Sequence, residues 1–327
     1  MELQDALKKK IGLGTAPLGN MFRDVPEEEA LKTIQNAWDN GIRYFDTAPF
    51  YGFGLSELRV GEILSQYSRD EYVLSSKVGR IVLEEEEEKE GLFEYGRKNK
   101  ITHDYTEEGT LRSIDDSLKR LQTDRLDFVF VHDISPDFHG DEWVSKFDEA
   151  RKGAFKTLTR LREEGVIKGW GLGLNKAVPI ELALQLEETS PDICLSATQY
   201  TIMQHEEALN KMMPLAEKNN TEIIVGSPYN SGALLGCDHF DYAEIPDDKK
   251  EQADNLRRIA EEHNVSLKAA ALQFSTAHPV VRAVIPGSTK PDRIEEDLAA
   301  MDEKIPQAFW DELISKDFIS SEAPLPK

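Results

Sequence analysis

Residues 26–48, PEEEALKTIQNAWDNGIRYFDTA, contain one predicted helix followed by one predicted strand, and this unit decides the fold. Pro26 opens the helix and acidic residues fill its first turn, which are both preferences of helix amino termini. Gly41 then ends it, as glycine commonly does. The run RYFDTA is short, aromatic and apolar, which is typical of a buried strand. A helix followed directly by a buried strand is the repeating element of parallel α/β folds.

The same alternation extends over the whole chain. Short runs rich in glycine or in β-branched residues alternate with longer amphipathic stretches, and eight such runs can be counted. They are IGLGTA (11–16), RYFDTA (43–48), YVLSSK (72–77), LDFVFVHD (126–133), IKGWGLGL (167–174), ICLSATQY (193–200), EIIVGSP (222–228) and RAVIPGS (282–288). Alternation of strand and helix predicts parallel pairing with right-handed crossovers. Eight units favour a closed (β/α)8 TIM barrel over the alternative, an open doubly wound sheet.

The length of 327 residues fits one barrel, since α/β barrels commonly exceed about 200 residues as a single domain. We therefore expect residues 1–327 to form one α/β domain. Three connections are longer than usual: 79–105, 134–149 and 230–250. We expect them to be inserted loops at the carboxyl-end face of the barrel. The first contains the acidic block 84–88, which we expect to be a solvated excursion or a helix.

The charge balance limits the possible partners. The chain has 61 acidic and 39 basic residues, a formal net charge of −22, which disfavours binding to nucleic acid and to anionic membranes. Two cysteines, Cys194 and Cys237, are too few for a disulfide framework. The amino terminus lacks the apolar run of a secretory signal, and no stretch approaches the roughly 20 apolar residues of a membrane span. We expect a cytoplasmic protein that has neither a nucleic-acid nor a membrane partner.

Four polar residues stand at or just after the ends of predicted strands two, three and four: Asp46, Tyr51, Lys77 and His132. In a parallel barrel, active-site side chains emerge at the carboxyl ends of the strands. A phenol with a pKa of about 10 carries protons poorly near neutral pH, and a nearby ammonium lowers that pKa. We expect Lys77 to make Tyr51 more acidic, Asp46 to keep Lys77 charged, and His132 to donate to the reacting oxygen.

Taken singly, these residues have ordinary structural interpretations. An aspartate after a strand is often an N-cap, a tyrosine in a turn is often half-buried packing, and a lysine at a strand end often forms a structural ion pair. A Schiff base on Lys77, in a barrel isomerase or aldolase, is another alternative, but a lysine held charged by Asp46 is a weak nucleophile. The joint placement at three strand ends favours an acid/base site.

Longer motifs around these residues resemble the aldo-keto reductase superfamily, and the resemblance spans nearly the whole chain. GIRYFDTAPFYGFGLSELRVGEIL (41–64) resembles the segment that carries the family's Asp and Tyr, LSSKVG (74–79) its Lys strand, and RSIDDSLKRLQTDRLDFVFVHD (112–133) the helix and strand before its His. The resemblance places the catalytic tetrad on Asp46, Tyr51, Lys77 and His132. It implies a bound nicotinamide cofactor, NAD(H) or NADP(H), no metal, and reversible hydride transfer to or from a carbonyl or alcohol carbon.

The resemblance also implies a set of cofactor contacts. The nicotinamide amide falls to Asn175 and Gln199, because a side-chain amide satisfies both its donor and its acceptor. Ser227 matches a contact to the pyrophosphate or its ribose, and the segment IPGSTKPDRIEEDLAA (285–300) matches the grip on the adenosine end. The residues implied are Thr15, Asp46, Asn175, Gln199, Ser227, Ser288, Arg293, Glu296 and Asp297.

Several positions depart from the family pattern. Leu174 replaces a common Ser, Gly226 stands where many members stack a Tyr on the nicotinamide, and Asp297 replaces the usual Asn. Gly287 stands where NADP-preferring members often carry Lys, although Lys290 is near enough in sequence to compensate. The preference between NAD and NADP stays open at this point.

The VHD after strand four and the form GLGLN of strand five resemble the branch of sugar and pyridoxal dehydrogenases. That branch includes L-fucose or D-threo-aldose dehydrogenases and L-galactose dehydrogenase. It implies an aldose substrate, with a general aldehyde or ketone, or pyridoxal, as alternatives. A further alternative of a different class is a cofactor-bound interaction subunit, as in the β subunits of potassium channels.

Overall fold

The computed structural model describes residues 1–7, 9–188 and 190–326, and within them eight parallel strands form the predicted barrel. In chain order the strands are β1 (Leu13–Gly14), β2 (Tyr44–Asp46), β3 (Val73–Val78), β4 (Arg80–Glu86), β5 (Asn99–His103), β6 (Phe128–His132), β7 (Gly169–Leu174), β8 (Ile193–Ala197), β9 (Glu222–Gly226), β10 (His239–Phe240), β11 (Ala243–Glu244) and β12 (Val281–Ile285). The order of neighbours in the barrel is β1-β2-β3-β6-β7-β8-β9-β12, with the two small hairpins β4–β5 and β10–β11 outside it.

The first and last barrel strands meet and close the sheet. Parallel bridges join Ile11 to Val284 and Gly14 to Gly287, and the Gly12 N–H donates to the Val284 carbonyl at 3.0 Å. The closed sheet confirms the predicted TIM barrel and excludes the open doubly wound alternative.

Helices follow the strands in the predicted alternation. In chain order they are α1 (Leu3–Ala6), α2 (Glu27–Asp39), α3 (Leu55–Leu64), α4 (Glu107–Leu121), α5 (Pro136–His139), α6 (Trp143–Lys152), α7 (Ala154–Glu163), α8 (Ala177–Ala183), α9 (Met213–Asn219), α10 (Asp247–Glu262), α11 (Leu267–Ser275), α12 (Asp292–Ala300) and α13 (Gln307–Ser315). Residues 255–278 do not form one continuous helix; they include the end of α10 and the whole of α11. Ser266 caps α11 by accepting a hydrogen bond from the Ala269 N–H.

Apolar side chains fill two layers. Inside the barrel, α1 closes the amino-terminal end, where Leu3 and Leu7 join a cluster with Tyr44, Phe128 and Ile193. Outside it, the helices pack on the strands through a larger buried cluster. Burying one such side chain fully contributes about 1.5–3 kcal/mol. Because these side chains fill the amino-terminal end of the barrel, its open end lies at the carboxyl ends of the strands.

The three long connections lie at that open end. The first forms the hairpin β4–β5, so the helix alternative for its acidic block is wrong, and residues 84–88 are exposed as expected for a solvated excursion. The second contains α5 and α6, and the third contains the hairpin β10–β11. Among the described residues, no helix combines the length and the apolar character needed to cross a membrane.

Candidate active site

Asp46 and Lys77 form a buried ion pair between β2 and β3. The Lys77 ammonium donates to Asp46 Oδ2 at 2.6 Å and to the Thr47 carbonyl at 2.8 Å. Ser75, the register partner of Asp46, donates to Asp46 Oδ1 at 2.7 Å. Burial raises the pKa of Asp46, and the Lys77 charge opposes that effect. The lysine thus already bonds a carboxylate and a carbonyl, which argues against a free amine for Schiff-base chemistry.

Tyr51 lies in the turn after β2, and two glycines set its position. A Cβ on Gly19 would lie 2.6 Å from the Gly52 nitrogen and would clash with the Tyr51 carbonyl carbon, and one on Gly52 would clash with the Gly19 carbonyl oxygen. Only glycine fits this crossing of two backbones. The turn brings the Tyr51 ring near Lys77, whose nitrogen is 4.8 Å from the ring centroid.

The electrostatics of Tyr51 differ from the expected acidic phenol. Burial raises the pKa of Tyr51 well above its usual value, and the carboxylates of Asp46 and Asp133 raise it further, while Arg80 lowers it. The net effect of these surroundings on the phenol pKa is thus opposite in direction to the acidification expected from Lys77. Asp46 neutralises the ammonium at 2.6 Å, so the pair presents little net positive charge to the ring.

His132 ends β6 and faces the phenol ring edge-on. The two ring centroids are 5.8 Å apart, with an interplanar angle of 84°. Burial lowers the pKa of His132 well below its usual value, and the charges of Lys77 and Arg80 act in the same direction. The imidazole is therefore neutral near pH 7 and carries a single N–H. Its Nε2 lies 3.3 Å from Asp133 Oδ2.

All four residues line one cavity of about 660 Å³ across the open end of the barrel. This volume lies in the range of about 300–1,000 Å³ that small-molecule and cofactor sites occupy. The cavity extends from the end of β6 to the segment after β12, which lies on the opposite side of the barrel. Its lining includes most of the residues expected to contact the cofactor: Thr15, Asp46, Asn175, Ser227, Ser288, Arg293, Glu296 and Asp297.

Gln199 is the expected cofactor contact that does not line the cavity. Its side-chain nitrogen donates to Thr198 Oγ1 at 3.0 Å. Asn175 does line it, and there its amide donates to Asp137 Oδ2 at 3.3 Å. Thr15 is fully buried and its hydroxyl donates to the Asp46 carbonyl at 2.8 Å, which ties β1 to the catalytic end of β2.

The end of the cavity near α12 carries charges of both signs. Lys268 of α11 lies 2.6 Å from Glu296 Oε2 and 3.3 Å from Asp297 Oδ1. The Tyr229 hydroxyl also donates to Asp297 Oδ1, at 2.7 Å. Arg293 lines the same region and is exposed. The carboxylates thus already neutralise the lysine.

Gly287 is required by close packing. A Cβ there would meet the Pro17 ring at 2.8 Å, so the lysine of many NADP-preferring relatives has no room here. Lys290 does not line the cavity; its backbone exchanges hydrogen bonds with the Ser288 hydroxyl instead. Lys268, on α11, is the lysine that lines the cavity at this end.

Sequence reasoning missed several lining or supporting residues. Asp133 follows His132 directly in VHD, and Arg80 follows Lys77 by three positions, so adjacency could have suggested both. Lys268 carries no such signal, because it lies on a helix after β9. Tyr242 also gave none: it enters the cavity from the turn of hairpin β10–β11, where its φ of 68° is unusual for a tyrosine.

The profile of the aldo/keto reductase family matches residues 10–317. The chain belongs to this family. Aldo/keto reductases are NAD(P)-dependent oxidoreductases, and so is this chain.

Curated relatives agree with that assignment, and a solved structure shares the fold. Pyridoxal 4-dehydrogenase of Microbacterium luteolum is 34% identical over 326 residues, covering 95% of this chain and 94% of the relative. D-threo-aldose 1-dehydrogenase of a Pseudomonas species is 34% identical over 314 residues, covering 93% and 92%. The solved aldo-keto reductase of Bacillus halodurans superposes with a TM-score of 0.70 at 24% identity, over 94% of this chain and 91% of that one.

Proposed function

We propose that this aldo/keto reductase is an aldose 1-dehydrogenase, which oxidises the hemiacetal carbon of an aldose and can run in reverse on a carbonyl. The observation that carries the proposal is the meeting of Tyr51, Lys77 and His132 at one cavity, with Lys77 2.6 Å from Asp46. The similarity to D-threo-aldose 1-dehydrogenase over nearly the whole chain supports the choice of substrate class.

In this proposal Tyr51 is the general acid and base. Its raised pKa keeps the phenol protonated near neutral pH, which suits donation to a carbonyl oxygen. For oxidation, Tyr51 must first lose its proton and then accept the proton of the substrate hydroxyl. Neutral His132 orients the substrate oxygen and stabilises charge that develops on it. Lys77 and Asp46 hold the phenol in place.

The cofactor supplies a hydride acceptor or donor at its nicotinamide ring. The residues present fit this group: hydroxyls of Ser227 and Ser288, the amide of Asn175 and the guanidinium of Arg293 line one continuous cavity. Such groups hydrogen-bond phosphates, ribose and a carboxamide. Gln199 would have to turn from Thr198 to take part.

We further propose a preference for NAD over NADP. A 2′-phosphate would bring negative charge to the region of Glu296 and Asp297, where Lys268 is already paired. Carboxylates in this position repel a phosphate and accept hydrogen bonds from a free ribose hydroxyl. Arg293 would remain to bind a phosphate.

Initial rates with NAD and with NADP across L-fucose, D-arabinose, L-galactose and pyridoxal test the proposal directly. We expect turnover of at least one aldose, faster with NAD. Pyridoxal oxidation without aldose oxidation would favour the second candidate, a pyridoxal dehydrogenase, which the relative from Microbacterium luteolum supports to the same degree of identity. Cofactor binding without turnover of any of them would instead point to an interaction subunit.

We also propose that residues 1–327 form one domain and that the protein works in the cytoplasm. The barrel strands and helices run from Leu3 to Ser315, and the two buried apolar clusters, one inside the barrel and one outside it, draw on the same barrel strands. The unpaired thiols of Cys194 and Cys237 suit a reducing compartment.

A further inference from the structure

A second buried ion pair lies beside the proposed catalytic residues. Arg80 donates to Asp133 Oδ2 at 2.7 Å, and both side chains are 4% exposed. Arg80 begins β4 just after the Lys77 strand, and Asp133 follows His132 directly. The mechanism proposed above uses neither residue, although the charges of both act on Tyr51 and that of Arg80 acts on His132.

The position of the guanidinium is fixed by two aromatic rings. Its central carbon lies 3.9 Å from the Phe50 ring centroid and 4.3 Å from that of Phe138. Phe50 precedes Tyr51, and Phe138 comes from α5 in the second long connection. Contacts with two rings restrict a planar cation to one orientation. Arg80 can therefore hold the Asp133 carboxylate in one place.

The carboxylate itself reaches the cavity. Asp133 lines it together with Tyr51 and His132, whereas Arg80 does not. Arg80 bonds Oδ2, and no residue that the structure describes donates a hydrogen bond to Oδ1. The backbone at Asp133 has a φ of 53°, uncommon for a residue other than glycine, and this conformation turns the side chain towards the cavity.

The distance to His132 suggests what Asp133 binds. Asp133 Oδ2 lies 3.3 Å from His132 Nε2, the group proposed to hold the reacting oxygen. A substrate whose reacting oxygen is held by His132 therefore brings the substituent on the adjacent carbon close to the Asp133 carboxylate. A carboxylate is an acceptor only, so it suits a hydroxyl donor.

We propose that Asp133, positioned by Arg80, accepts a hydrogen bond from the hydroxyl on the carbon next to the reacting carbon and so selects hydroxylated substrates over plain aldehydes. The inference rests on the proposed aldose dehydrogenase activity. A site built around a substrate hydroxyl discriminates strongly against analogues that lack it, because its buried polar group is then left unpaired.

An ion pair at the other end of the same strand provides a matched control. Asp127 precedes β6 at the closed end of the barrel, and its Oδ2 accepts from Arg69 at 2.5 Å. The side chains of Asp127 and Asp133 are each 4% exposed. Removing either carboxylate leaves an arginine without its partner, but only Asp133 lines the cavity.

The experiment compares kcat/KM for an aldose and for its 2-deoxy counterpart in the wild type, Asp133→Ala, Asp133→Asn, Arg80→Lys and Asp127→Ala. Wild-type enzyme should favour the aldose by on the order of 10²-fold or more. Asp133→Ala should lose most of this discrimination: the ratio of kcat/KM for the aldose to kcat/KM for the 2-deoxy sugar should fall towards one, because only the aldose carries the hydroxyl that Asp133 binds. Asp133→Asn and Arg80→Lys should lose part of it, and Asp127→Ala should retain it.

Each remaining outcome counts against the inference. Equal losses for both sugars in Asp133→Ala, or a wild type that does not discriminate, would overturn it while leaving the aldose dehydrogenase in place. A wild type that oxidises no aldose would overturn the proposed function and this inference with it. Should Asp133→Ala unfold, the isosteric Asp133→Asn and the double variant Arg80→Met/Asp133→Leu, which leaves no unpaired charge, carry the same comparison.

Discussion

Lys77 Nζ lies 2.6 Å from Asp46 Oδ2, and the two side chains are 1% and 2% exposed. Two charges so deeply buried stabilise each other only as a pair, because each alone would incur a large desolvation cost. The pair therefore has two separable consequences. It fixes the lysine beside the Tyr51 ring, and it makes each partner dependent on the other for the stability of the folded state.

Removing one partner of this pair should cost more than removing both. We expect Asp46→Asn to lower the free energy of unfolding by about 3–5 kcal/mol, because it leaves the Lys77 ammonium buried without a counter-charge. The double variant Asp46→Leu/Lys77→Met should be closer to the wild type, since it buries no charge. Urea denaturation followed by circular dichroism measures both. A loss below about 1 kcal/mol in Asp46→Asn would mean that water or another group stabilises the lysine.

Tyr51→Phe should remove activity without affecting the fold. The Tyr51 hydroxyl makes no hydrogen bond to any residue that the structure describes, so its loss should change the free energy of unfolding by less than about 0.5 kcal/mol. Loss of the general acid and base should lower kcat by about 10²–10⁴-fold. Stopped-flow or steady-state rates, together with titration of the cofactor by fluorescence, separate the two effects. Turnover within a few-fold of the wild type would disprove the role assigned to the phenol.

The two directions of reaction should respond differently to pH. Burial raises the pKa of Tyr51 well above its usual value, so below that pKa the phenolate fraction rises about tenfold per pH unit. With a slow aldose, for which chemistry limits the rate, log(kcat/KM) for oxidation should rise with a slope near +1 between about pH 8 and 10. Carbonyl reduction needs the protonated phenol and should stay flat over this range.

The pH range avoids a second titration. Burial raises the pKa of Asp133 to about 7, although the Arg80 charge opposes this, and Asp137 and Lys77 also act on it. Above about pH 8 this carboxylate is ionised, so its titration does not contribute to the slope. A plateau of oxidation that begins below about pH 9 would indicate a phenol more acidic than its surroundings imply.

The barrel could be predicted from the sequence because its signals are local. Each strand is a short apolar run between amphipathic stretches, and each run predicted a strand of the barrel. The hairpin β4–β5 could not be predicted, because acidic residues 84–88 have no strand pattern and only Glu86 among them is in register with β5, opposite Asn99. Likewise, Tyr242 enters the cavity through a turn whose positive φ values at Asp241 and Tyr242 no glycine indicates.

The part of the site that is formed by residues at strand ends could be predicted from the sequence. Asp46, Lys77 and His132 are at or near the ends of adjacent strands, so the barrel alone brings them together. The acidity of Tyr51 could not be predicted, because it depends on how strongly burial and the Asp46 carboxylate raise the pKa of the phenol. Lys268 was unpredictable for a different reason: its contact with Asp297 joins two helices whose relative position only packing decides.

Cofactor preference should change with the charge near α12. Removing a carboxylate that faces a 2′-phosphate relieves a repulsion on the order of 1–3 kcal/mol, and about 1.4 kcal/mol corresponds to tenfold. We expect Glu296→Gln/Asp297→Asn to raise kcat/KM for NADP about tenfold or more relative to NAD. Glu295→Gln is the matched control, because it removes a carboxylate of the same helix that does not line the cavity. An unchanged ratio in the double variant would show that these carboxylates do not set the preference.

The close backbone contact between Gly19 and Gly52 should affect activity, although neither glycine takes part in the reaction. A methyl group at Gly19 would lie 2.6 Å from the Gly52 nitrogen and closer still to the Tyr51 carbonyl carbon, so the Tyr51 turn must move. Since a displacement of about 1 Å in an active site can cost 10²-fold in rate, we expect Gly19→Ala to lower kcat by at least about tenfold. The overpacking should also lower the free energy of unfolding by about 1–3 kcal/mol.

Gly41→Ala distinguishes loss of geometry from loss of stability. Gly41 has a φ of 87°, and no atom lies within 4 Å of the position that an alanine Cβ would take there. Alanine at this site should therefore cost about 1–2 kcal/mol through backbone strain alone. This variant should lose stability comparable to that of Gly19→Ala and keep its wild-type kcat at about 25 °C. If both variants lost activity in proportion to their stability, the Gly19 contact would be a packing feature only. If Gly19→Ala alone lost activity, the crossing would be what holds Tyr51 beside Lys77.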